Sequence, residues 1–477
     1  MSARDQIVSY LEGNRETFIA AACDIWDHPE LAFHEDYACA RLAGLLEKEG
    51  FQVTRGAAGM STAMIAHWGN GSPVVGILGE YDALPNLSQQ TECTQRIPIV
   101  EGGPGHGCGH NLLGVGSAAA AIALRHYLDE HGLPGTVRFY GCPAEEGGSG
   151  KAYMARAGIF GELDAAFCWH PSRYLSPWMA KMNAIVAVEF WFQGVPAHAA
   201  SAPHMGRSAL DACELMNVGA NYLREHLPPA AKLHYAYLDA GAKAPNVIPE
   251  RAGLKYIIRS STIDDALAVR ARVEDIARGA ALMTGTQVSI RYNEGASDYV
   301  PNLTLTRLMG EAVDEVGPIV YDEEDYALAR KIRASLPEDC IKGIAWEFTG
   351  LSADEAREYY KTHVLYDRPG KFIDREFHAP ASTDVGDVSR CVPTAQVEVP
   401  CYTIGTPNHT WEMTAQTRST IGQKGMLEAA KCIALCAAKL FEDRDGRLLQ
   451  TARREFERTV GSGTYVCPFP DELTPPR

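Results

Sequence analysis

Short apolar segments alternate with helical patterns over the first third of the chain, and this alternation restricts the fold more than any other feature. Apolar runs typical of buried strands cover 74–78, 136–140 and 165–169. Helical spacing of apolar residues covers 4–22, 36–49 and 112–130. Buried strands that alternate with helices predict an α/β sheet with parallel strands.

The middle of the chain follows a different order. Strand patterns cover 184–192, 233–239, 251–259 and 287–292, and helical patterns cover 207–225 and 263–284. This β-α-β-β-α-β order is typical of a ferredoxin-like unit, which can form a domain by itself. We therefore predict an inserted domain at 182–297. A further strand at 396–404 and a helix at 420–442 would complete the first domain, which spans 1–181 and 298–477.

Charge, apolar pattern and cysteine content bear on the partners and the location of the protein. The 477 residues carry 44 basic and 60 acidic side chains, a formal net charge of −16, which argues against nucleic acid and anionic membranes as partners. The N-terminal segment lacks the pattern of a secretory signal, and the apolar stretch 118–124 is too short to span a bilayer. Thirteen scattered cysteines indicate reduced thiols, so we predict a cytoplasmic protein.

Residues that can bind a metal or move a proton follow the predicted strands. They are Glu80 and Asp82 after 74–78, Glu145 and Glu146 after 136–140, His170 after 165–169, and His409 after 396–404. Cys108 and His110 lie in GHGCGHN, just before the helix at 112–130. Open α/β sheets bind ligands at the carboxyl ends of their strands, so these side chains can converge. Imidazole and thiolate favour zinc and its neighbours, and carboxylate suits manganese.

The adjacent glutamates indicate a division of labour. Successive side chains of an extended strand point to opposite faces, so Glu145 and Glu146 would act as one ligand and one free base. A free carboxylate beside a water that a metal activates is what hydrolysis needs. The residues alone leave open which glutamate is which. Taken singly, Cys108 is also typical of a buried thiol, and His170 and His409 of loop histidines.

Seven motifs in the chain carry a family resemblance. They are WDHPELAFHE (26–35), LGEYDALP (78–85), GHGCGHNLLG (105–114), VRFYGCPAEEGGSGK (137–151), AHAASAPHMGRSALDA (197–212), ASTDVGDVS (381–389) and GTPNHTW (405–411). Through them the sequence resembles the M20 family of metallopeptidases and amidohydrolases, in particular its subfamily with a cysteine ligand. The resemblance extends over nearly the whole chain.

The resemblance implies a dinuclear centre that holds two divalent metal ions, Mn²⁺ or Zn²⁺, with Mn²⁺ slightly favoured. The ligands would be Cys108, His110, Glu146, His170 and His409. The Cys108 thiolate would bridge the two ions, Glu145 would be the general base, and Asp82 would orient a ligand. The implied fold is an α/β dinuclear metallohydrolase domain with a mixed sheet and an inserted ferredoxin-like lid and dimerisation domain.

Three further residues match positions in the lid of such enzymes. His198 would reach the active site of a partner subunit, and Asn246 and Arg259 would hold the carboxylate of the substrate. From the residues alone, His198 and Asn246 are more typical of turns than of an active site, and Arg259 is more typical of a surface strand. The implied partner is a second copy of the chain through the lid domain, or a paralogous subunit in a hetero-oligomer.

The implied activity is hydrolysis of the amide bond of a small-molecule N-acyl amino acid. p-Aminobenzoyl-glutamate, or a related aryl- or indolyl-acyl glutamate or aspartate, is the expected substrate. A dipeptidase, an aromatic aminohydrolase, a non-catalytic partner subunit and a metal-dependent binding protein are the alternatives. The sequence departs from the pattern of this family in two places. Gly79, Glu80 and Tyr81 replace an Arg-Ala-Asp triplet, and residues 319–379 fit shorter relatives poorly, so we expect that segment to shape the pocket.

Overall fold

The computed structural model describes residues 2–241, 243–461 and 464–476. The strands are β1 (Gln52–Arg55), β2 (Met64–Asn70), β3 (Val74–Glu80), β4 (Gly135–Cys142), β5 (Ala165–Ser172), β6 (Ser176–Pro177), β7 (Ala180–Met182), β8 (Ala184–Gln193), β9 (Lys232–Asp239), β10 (Arg251–Ser260), β11 (Gln287–Ala296), β12 (Phe377–Ala379) and β13 (Thr394–Pro400). The α-helices are α1 (Ala3–Gly13), α2 (Arg15–Asp27), α3 (Asp36–Lys48), α4 (His110–His131), α5 (Gly150–Arg156), α6 (Ala209–Leu223), α7 (Ile263–Thr284), α8 (Leu303–Val316), α9 (Glu323–Ser335), α10 (Ala353–Thr362), α11 (Val385–Ser389), α12 (Trp411–Thr414), α13 (Thr420–Glu442) and α14 (Arg447–Thr459).

The larger sheet is mixed. Its strands follow the order β1-β2-β4-β3-β5-β13-β6 in the part of the chain that the structure describes. The central neighbours β4, β3, β5 and β13 run parallel, whereas β1 and β2 at one edge and β6 at the other pair antiparallel. The carboxyl ends of the four parallel strands therefore meet at one edge of the sheet. The predicted α/β class with a mixed sheet is confirmed.

Helices α4 and α13 pack against each other and against this sheet. The middle of α4, from Ala118 to Ala123, is buried and consists almost entirely of alanine. Small side chains let the two helix backbones approach closely, so α4 is held rigidly. Because His110 is the first residue of α4, this packing fixes the position of a predicted metal ligand.

The smaller sheet has the order β11-β8-β10-β9 and is antiparallel throughout. Alternate side chains of β8 and β10 pack against α6 and α7 to form a second hydrophobic cluster, separate from that of the larger sheet. The Thr262 hydroxyl accepts a hydrogen bond from Asp265 N at the start of α7, and Gly285 ends that helix with a left-handed backbone. The predicted β-α-β-β-α-β order is confirmed in β8, α6, β9, β10, α7 and β11.

Two predicted elements differ from the structure. The prediction of a single helix at 4–22 is wrong, because Asn14 takes a non-helical conformation and separates α1 from α2. The strand expected at 396–404 ends at Pro400. Beyond it the chain leaves the sheet, since Thr403 N donates to Gln416 Oε1 and Ile404 N donates to Val364 O.

The segment 319–379 is built around two capped helices. Asp322 caps α9 and Ser352 caps α10, each with an acidic residue three positions later that completes a capping box. β12 then pairs with β7 in parallel. In the described ranges, no helix is both long enough and apolar enough to cross a membrane.

Candidate metal centre

The carboxyl ends of β3, β4, β5 and β13 border a cavity of about 590 Å³. Its lining includes seven of the residues that the sequence singles out, namely Glu80, Cys108, Glu145, Glu146, His170, Arg259 and His409. His110 lies directly behind it, fully buried at the start of α4. Groups that are far apart in the sequence thus meet at one edge of the sheet.

The loop before α4 places two donors side by side. Gly109 lies between Cys108 and His110 with a left-handed φ of +79°. A Cβ atom at Gly109 would lie 3.0 Å from Pro171 Cγ, so both the backbone and the space favour glycine. This turn points the Cys108 thiol and the His110 ring towards the same region.

The histidine rings are oriented by acceptors at their Nδ1 atoms. His110 Nδ1 is 2.9 Å from Asp82 Oδ1, and His170 Nδ1 is 2.8 Å from Pro171 O. A ring nitrogen that donates to such an acceptor leaves Nε2 free to bind a metal. His170 Nε2 lies 3.3 Å from Cys108 Sγ. Donor atoms of Cys108, His110 and His170, here called the first donor group, all lie within 4.8 Å of one another.

Cys108 also belongs to a second donor group, which consists of Cys108, Glu146 and His409. His409 Nε2 is 3.4 Å from Glu146 Oε1. His409 has a φ of +57°, which is uncommon for a residue with a side chain, and its backbone N donates to Gly107 O at 3.1 Å. The surrounding structure therefore holds this loop in a strained conformation that brings the ring to the cavity.

The donor set fits divalent metal ions. Among the described residues, neither His110 Nε2 nor Glu146 Oε1 has a hydrogen-bond partner, although both atoms are buried. Buried polar atoms of this kind are rare unless a ligand satisfies them. Thiolate, imidazole and carboxylate donors grouped in this way suit zinc and manganese. Because Cys108 belongs to both donor groups, its thiol is a candidate ligand in each of them.

The two adjacent glutamates face different groups. Glu35 accepts a hydrogen bond from Ala144 N at 2.8 Å, and Asp82 Oδ2 accepts one from Glu146 N at 2.9 Å. Ala144 has a φ of +58°, so the chain turns sharply just before the pair. Glu146 joins the second donor group, whereas Glu145 lies within 4.8 Å of Glu80 and His110.

Negative charge is concentrated around Glu145. Burial, together with the charges of Glu80 and Glu146, raises the pKa of Glu145 well above its usual range. Burial raises the pKa of Glu146 to about 7. Burial and the neighbouring charge of His110 lower the pKa of His170 to about 4, which keeps its ring neutral. Bound cations would relieve the repulsion among these carboxylates and favour their ionised forms.

A buried ion-pair network lies behind the donors. Lys151 Nζ is 2.6 Å from Glu80 Oε1 and 2.5 Å from Asp384 Oδ1, and the three side chains are almost fully buried. The other oxygen of Glu80 is 3.4 Å from His110 Nε2. The sequence motifs contain Lys151 and Asp384, but nothing in their spacing predicts that they pair. Glu80 thereby contacts both Lys151 and a predicted metal ligand, His110.

The predicted lid residues divide into two sets. Arg259 lines the cavity, and its Nη1 donates to Ser382 Oγ at 2.7 Å. His198 and Asn246 are exposed on two neighbouring loops, where Ala199 N donates to Asn246 O at 3.0 Å. Neither His198 nor Asn246 is among the described residues that line the cavity. The structure therefore brings His198 and Asn246 to each other, away from the candidate metal centre of the same chain.

Comparison with protein families decides the classification. The model of peptidase family M20/M25/M40 matches residues 76–334, which is more than half of the chain. The chain belongs to this family. The predicted family is confirmed, and with it the class of the protein, a hydrolase of family M20.

Two curated relatives match almost the full length of this M20 chain. It is 42% identical to one subunit of the p-aminobenzoyl-glutamate hydrolase of Escherichia coli strain K12 over 468 residues, which are 98% of this chain and 97% of the relative. It is 31% identical to Xaa-Arg dipeptidase of Mus musculus over 452 residues, which are 91% of this chain and 87% of the relative. Both relatives are named for hydrolysis of an amide bond.

Solved structures share the fold. A crystal structure of a Bacillus subtilis protein, described as a dinuclear metal binding peptidase from the M20 family, matches with a TM-score of 0.56 and 19% sequence identity. The match covers 90% of this chain and 99% of that protein. The arrangement of the two sheets is therefore a known M20 architecture.

Proposed function

We propose that the chain hydrolyses the amide bond of N-acyl amino acids with two divalent metal ions held by the first and second donor groups. The observation that carries this proposal is that both groups converge on the single thiol of Cys108. p-Aminobenzoyl-glutamate is the first candidate substrate because a 42% identical relative is named for it. Related aryl- or indolyl-acyl glutamates and aspartates belong to the same chemical class.

Mn²⁺ is the metal ion that we place slightly ahead of Zn²⁺. The thiolate of Cys108 and the three histidines suit Zn²⁺, whereas carboxylates suit Mn²⁺. Glu146 belongs to the second donor group, and Glu80, Asp82 and Glu145 lie beside the donors. This density of carboxylates supports the manganese assignment.

The proposed chemistry assigns one task to each side chain. When bound, the metal ions would acidify the attacking water and polarise the amide carbonyl. Glu145 takes a proton from the attacking water and passes it to the nitrogen of the leaving amine. Arg259 binds the carboxylate of the substrate with two parallel hydrogen bonds, a geometry that its guanidinium favours.

We also propose that His198 of a second copy completes the active site. His198 Nδ1 accepts hydrogen bonds from Ala200 N and Ser201 N, both at 3.2 Å. In the neutral ring the proton must then be on Nε2, which is exposed as a donor. Such a donor would stabilise the oxyanion that forms at the substrate carbonyl. Asn246 of the second copy, on the loop next to His198, would hold the substrate carboxylate together with Arg259 of the first copy.

The dimer would form through the domain at 182–297, with 1–181 and 298–477 as the catalytic domain. The separate hydrophobic cluster of the smaller sheet supports this division. β9 is an edge strand whose Tyr235 and Tyr237 are exposed, and α6 exposes Val218 and Tyr222. Tyr222 is 78% exposed. An unpaired strand edge beside exposed apolar side chains is a surface that a second copy would cover.

Two alternatives rest on specific observations. A dipeptidase is the second candidate because a dipeptidase matches 91% of the chain. A hetero-oligomer with a paralogous subunit is the second candidate for assembly because the 42% identical relative is named as one subunit of its enzyme. A non-catalytic role is less compatible with the site, since the five predicted ligands and Glu145 all converge on one edge of the sheet.

Metal analysis combined with a product-release screen tests the proposal. The purified protein should contain two equivalents of Mn²⁺ or Zn²⁺ per chain and release glutamate from p-aminobenzoyl-glutamate. A chelator should abolish the activity, and the metal ion should restore it. Release from dipeptides alone would favour the dipeptidase. Two bound metal ions without turnover of any N-acyl glutamate, N-acyl aspartate or dipeptide would contradict the proposal and indicate a metal-binding protein.

A further inference from the structure

A second and larger cavity adjoins the candidate metal centre. It has a volume of about 1210 Å³ and is bounded mainly by the segment 338–361 together with β12. It shares four lining residues with the first cavity, namely Tyr174, Trp178, Gly343 and Ala345. Gly343 and Ala345 have the smallest side chains, so little material separates the two cavities at this point.

Six aromatic side chains line the second cavity. We call it the aromatic chamber, after the lining residues Tyr174, Trp178, Trp346, Phe348, Tyr360 and Phe377. Phe348 stacks on Trp178 with ring centroids 4.5 Å apart and contacts Phe377 edge-on at 5.0 Å. These contacts fix the rings, so the chamber is a formed cavity that presents aromatic faces and edges.

The charged residues of the chamber balance one another. Lys342, Arg357 and Lys361 are its basic lining residues, and Glu338, Asp339 and Glu347 are its acidic ones. Lys342 pairs with Asp339 at 3.6 Å, and Arg357 pairs with Asp354 at 3.1 Å. The charged lining residues therefore favour neither anionic nor cationic ligands. The aromatic side chains are then the feature of the chamber that selects among ligands.

One buried donor in the shared wall lacks a partner. Trp178 is only 7% exposed, and among the described residues its indole Nε1 has no hydrogen-bond partner. Buried tryptophan N–H groups usually find an acceptor. The wall that the two cavities share therefore contains one unsatisfied polar group.

We propose that the aromatic chamber holds the distal part of the acyl group, so that the enzyme acts on N-acyl amino acids with extended, multi-ring aromatic acyl groups. This inference rests on the proposed function and names its substrate class more closely. Typical small-molecule sites have volumes of about 300–1,000 Å³ and are lined by apolar and aromatic side chains. A chamber of about 1210 Å³ beside a reaction cavity of about 590 Å³ exceeds what a single-ring acyl group fills.

The test compares two substrates that differ only in the length of the acyl group, N-benzoyl-glutamate and N-(4-phenylbenzoyl)-glutamate. The measured quantity is the ratio of their kcat/KM values. We expect the two-ring substrate to be favoured at least about tenfold, since the second ring buries its surface among aromatic side chains. Trp346→Ala should bring the ratio close to one, and Trp346→Phe should largely retain it.

Trp68→Ala is the matched control, because Trp68 is a partly buried tryptophan on β2 that lines neither cavity. It should leave the ratio unchanged. Equal kcat/KM values for the two substrates in the wild-type protein would overturn the inference but leave the proposed function intact. So would a Trp346→Ala variant with an unchanged ratio.

A binding measurement separates this inference from the proposed function. Calorimetry with 4-phenylbenzoate, the acid that hydrolysis would release, needs no turnover. We expect the wild-type protein to bind it at least about tenfold more tightly than the Trp346→Ala variant does. If neither substrate is hydrolysed, the proposed function fails. If the wild-type protein and the Trp346→Ala variant bind the acid equally tightly, the proposal that the chamber holds the acyl group fails.

Discussion

Glu145 and Glu146 are adjacent in sequence but face different partners. The sharp turn at Ala144 and the hydrogen bond from Glu146 N to Asp82 send Glu146 towards Cys108 and His409, and leave Glu145 beside Glu80. Glu145 groups with Glu80 and His110 instead, outside the two donor groups that share Cys108, and this supports the proposal that it moves the proton. Residue types alone leave open which glutamate is the base, because only the local backbone conformation separates them.

Replacement of Glu145 by glutamine tests its role as the base. The amide keeps the shape but cannot accept the proton, so kcat should fall by at least ~10² while the metal content stays at the wild-type level. Steady-state kinetics and elemental analysis measure both quantities. Glu101→Gln, in an exposed turn, is the control and should retain full activity. Near-normal turnover of Glu145→Gln would remove Glu145 from the mechanism.

A buried carboxyl far from the donor groups should control stability at high pH. Burial raises the pKa of Glu428 on α13 to about 7, although Lys431 lies 3.5 Å away. The pKa of Glu428 is higher in the folded state than in the unfolded state. The contribution of this group to the free energy of unfolding is therefore fully present below about pH 4.5 and is lost as the pH rises through about 7. Glu428→Gln removes the ionisable group.

We therefore expect Glu428→Gln to be more stable than wild type at pH 8, by up to about 3 kcal/mol in the free energy of unfolding. The difference should shrink as the pH falls and vanish near pH 4.5. Urea unfolding at a series of pH values measures it. Glu130→Gln, at the exposed end of α4, should show no such trend. A variant that is less stable than wild type at pH 8 would mean that Glu428 is ionised and stabilised by Lys431.

At the scale of elements, long amphipathic helices could be predicted, whereas the short edge strands of the larger sheet could not. α7 and α13 match their predicted bounds, because each has a continuous apolar face that is buried in the structure. The two edge strands of the larger sheet, β1 and β6, were not predicted, because β1 is largely exposed and β6 spans only two residues. Their pairing depends on neighbouring strands and leaves no periodic pattern in the sequence.

The same contrast applies to the site. Most ligand candidates could be predicted because they follow strands whose carboxyl ends lie at one edge of the sheet, whereas Cys108 and His110 lie at the start of α4. Lys151, Glu80 and Asp384 pair only in three dimensions, across separations of 71 and 233 residues in sequence. The chamber aromatics come from segments with no recognisable pattern, so their convergence required the structure.

Helix α10 contributes one wall of the aromatic chamber, and its N-terminal cap should determine how firmly that wall is held. Ser352 Oγ accepts from Glu355 N, while Ser352 N donates to Glu355 Oε2 at 2.8 Å. Ser352→Ala removes the side-chain acceptor and should cost about 1 kcal/mol of local stability. Hydrogen exchange of residues 353–362 should become faster.

Ser2→Ala is the matched control, since the Ser2 hydroxyl caps α1 in the same way by accepting from Asp5 N. It should accelerate exchange at 3–13 and leave 353–362 unchanged. If Ser352→Ala leaves exchange at 353–362 at the wild-type rate, tertiary packing of Tyr359 and Tyr360 holds α10 and the cap contributes little.

At the scale of the whole molecule, the two sheets contribute unequally to one active site. Arg259 on β10 lines the cavity with the metal donors of the same chain, whereas His198 lies on a loop beyond the far end of β8. Antiparallel strands of ten residues separate these two positions within the smaller sheet. This separation supports the proposal that a second copy, docked on β9 and α6, supplies His198 to the cavity.

Mixing two inactive variants tests this assembly. His198→Ala and Glu145→Gln homodimers should both be poor catalysts. In a mixed dimer, one site combines an intact Glu145 with an intact His198 from the partner, while the other site lacks both. Random exchange at equal concentrations makes half of the dimers mixed, so about one quarter of wild-type activity should return in a two-fold symmetric dimer. Complete exchange without recovery would show that His198 does not act across the interface.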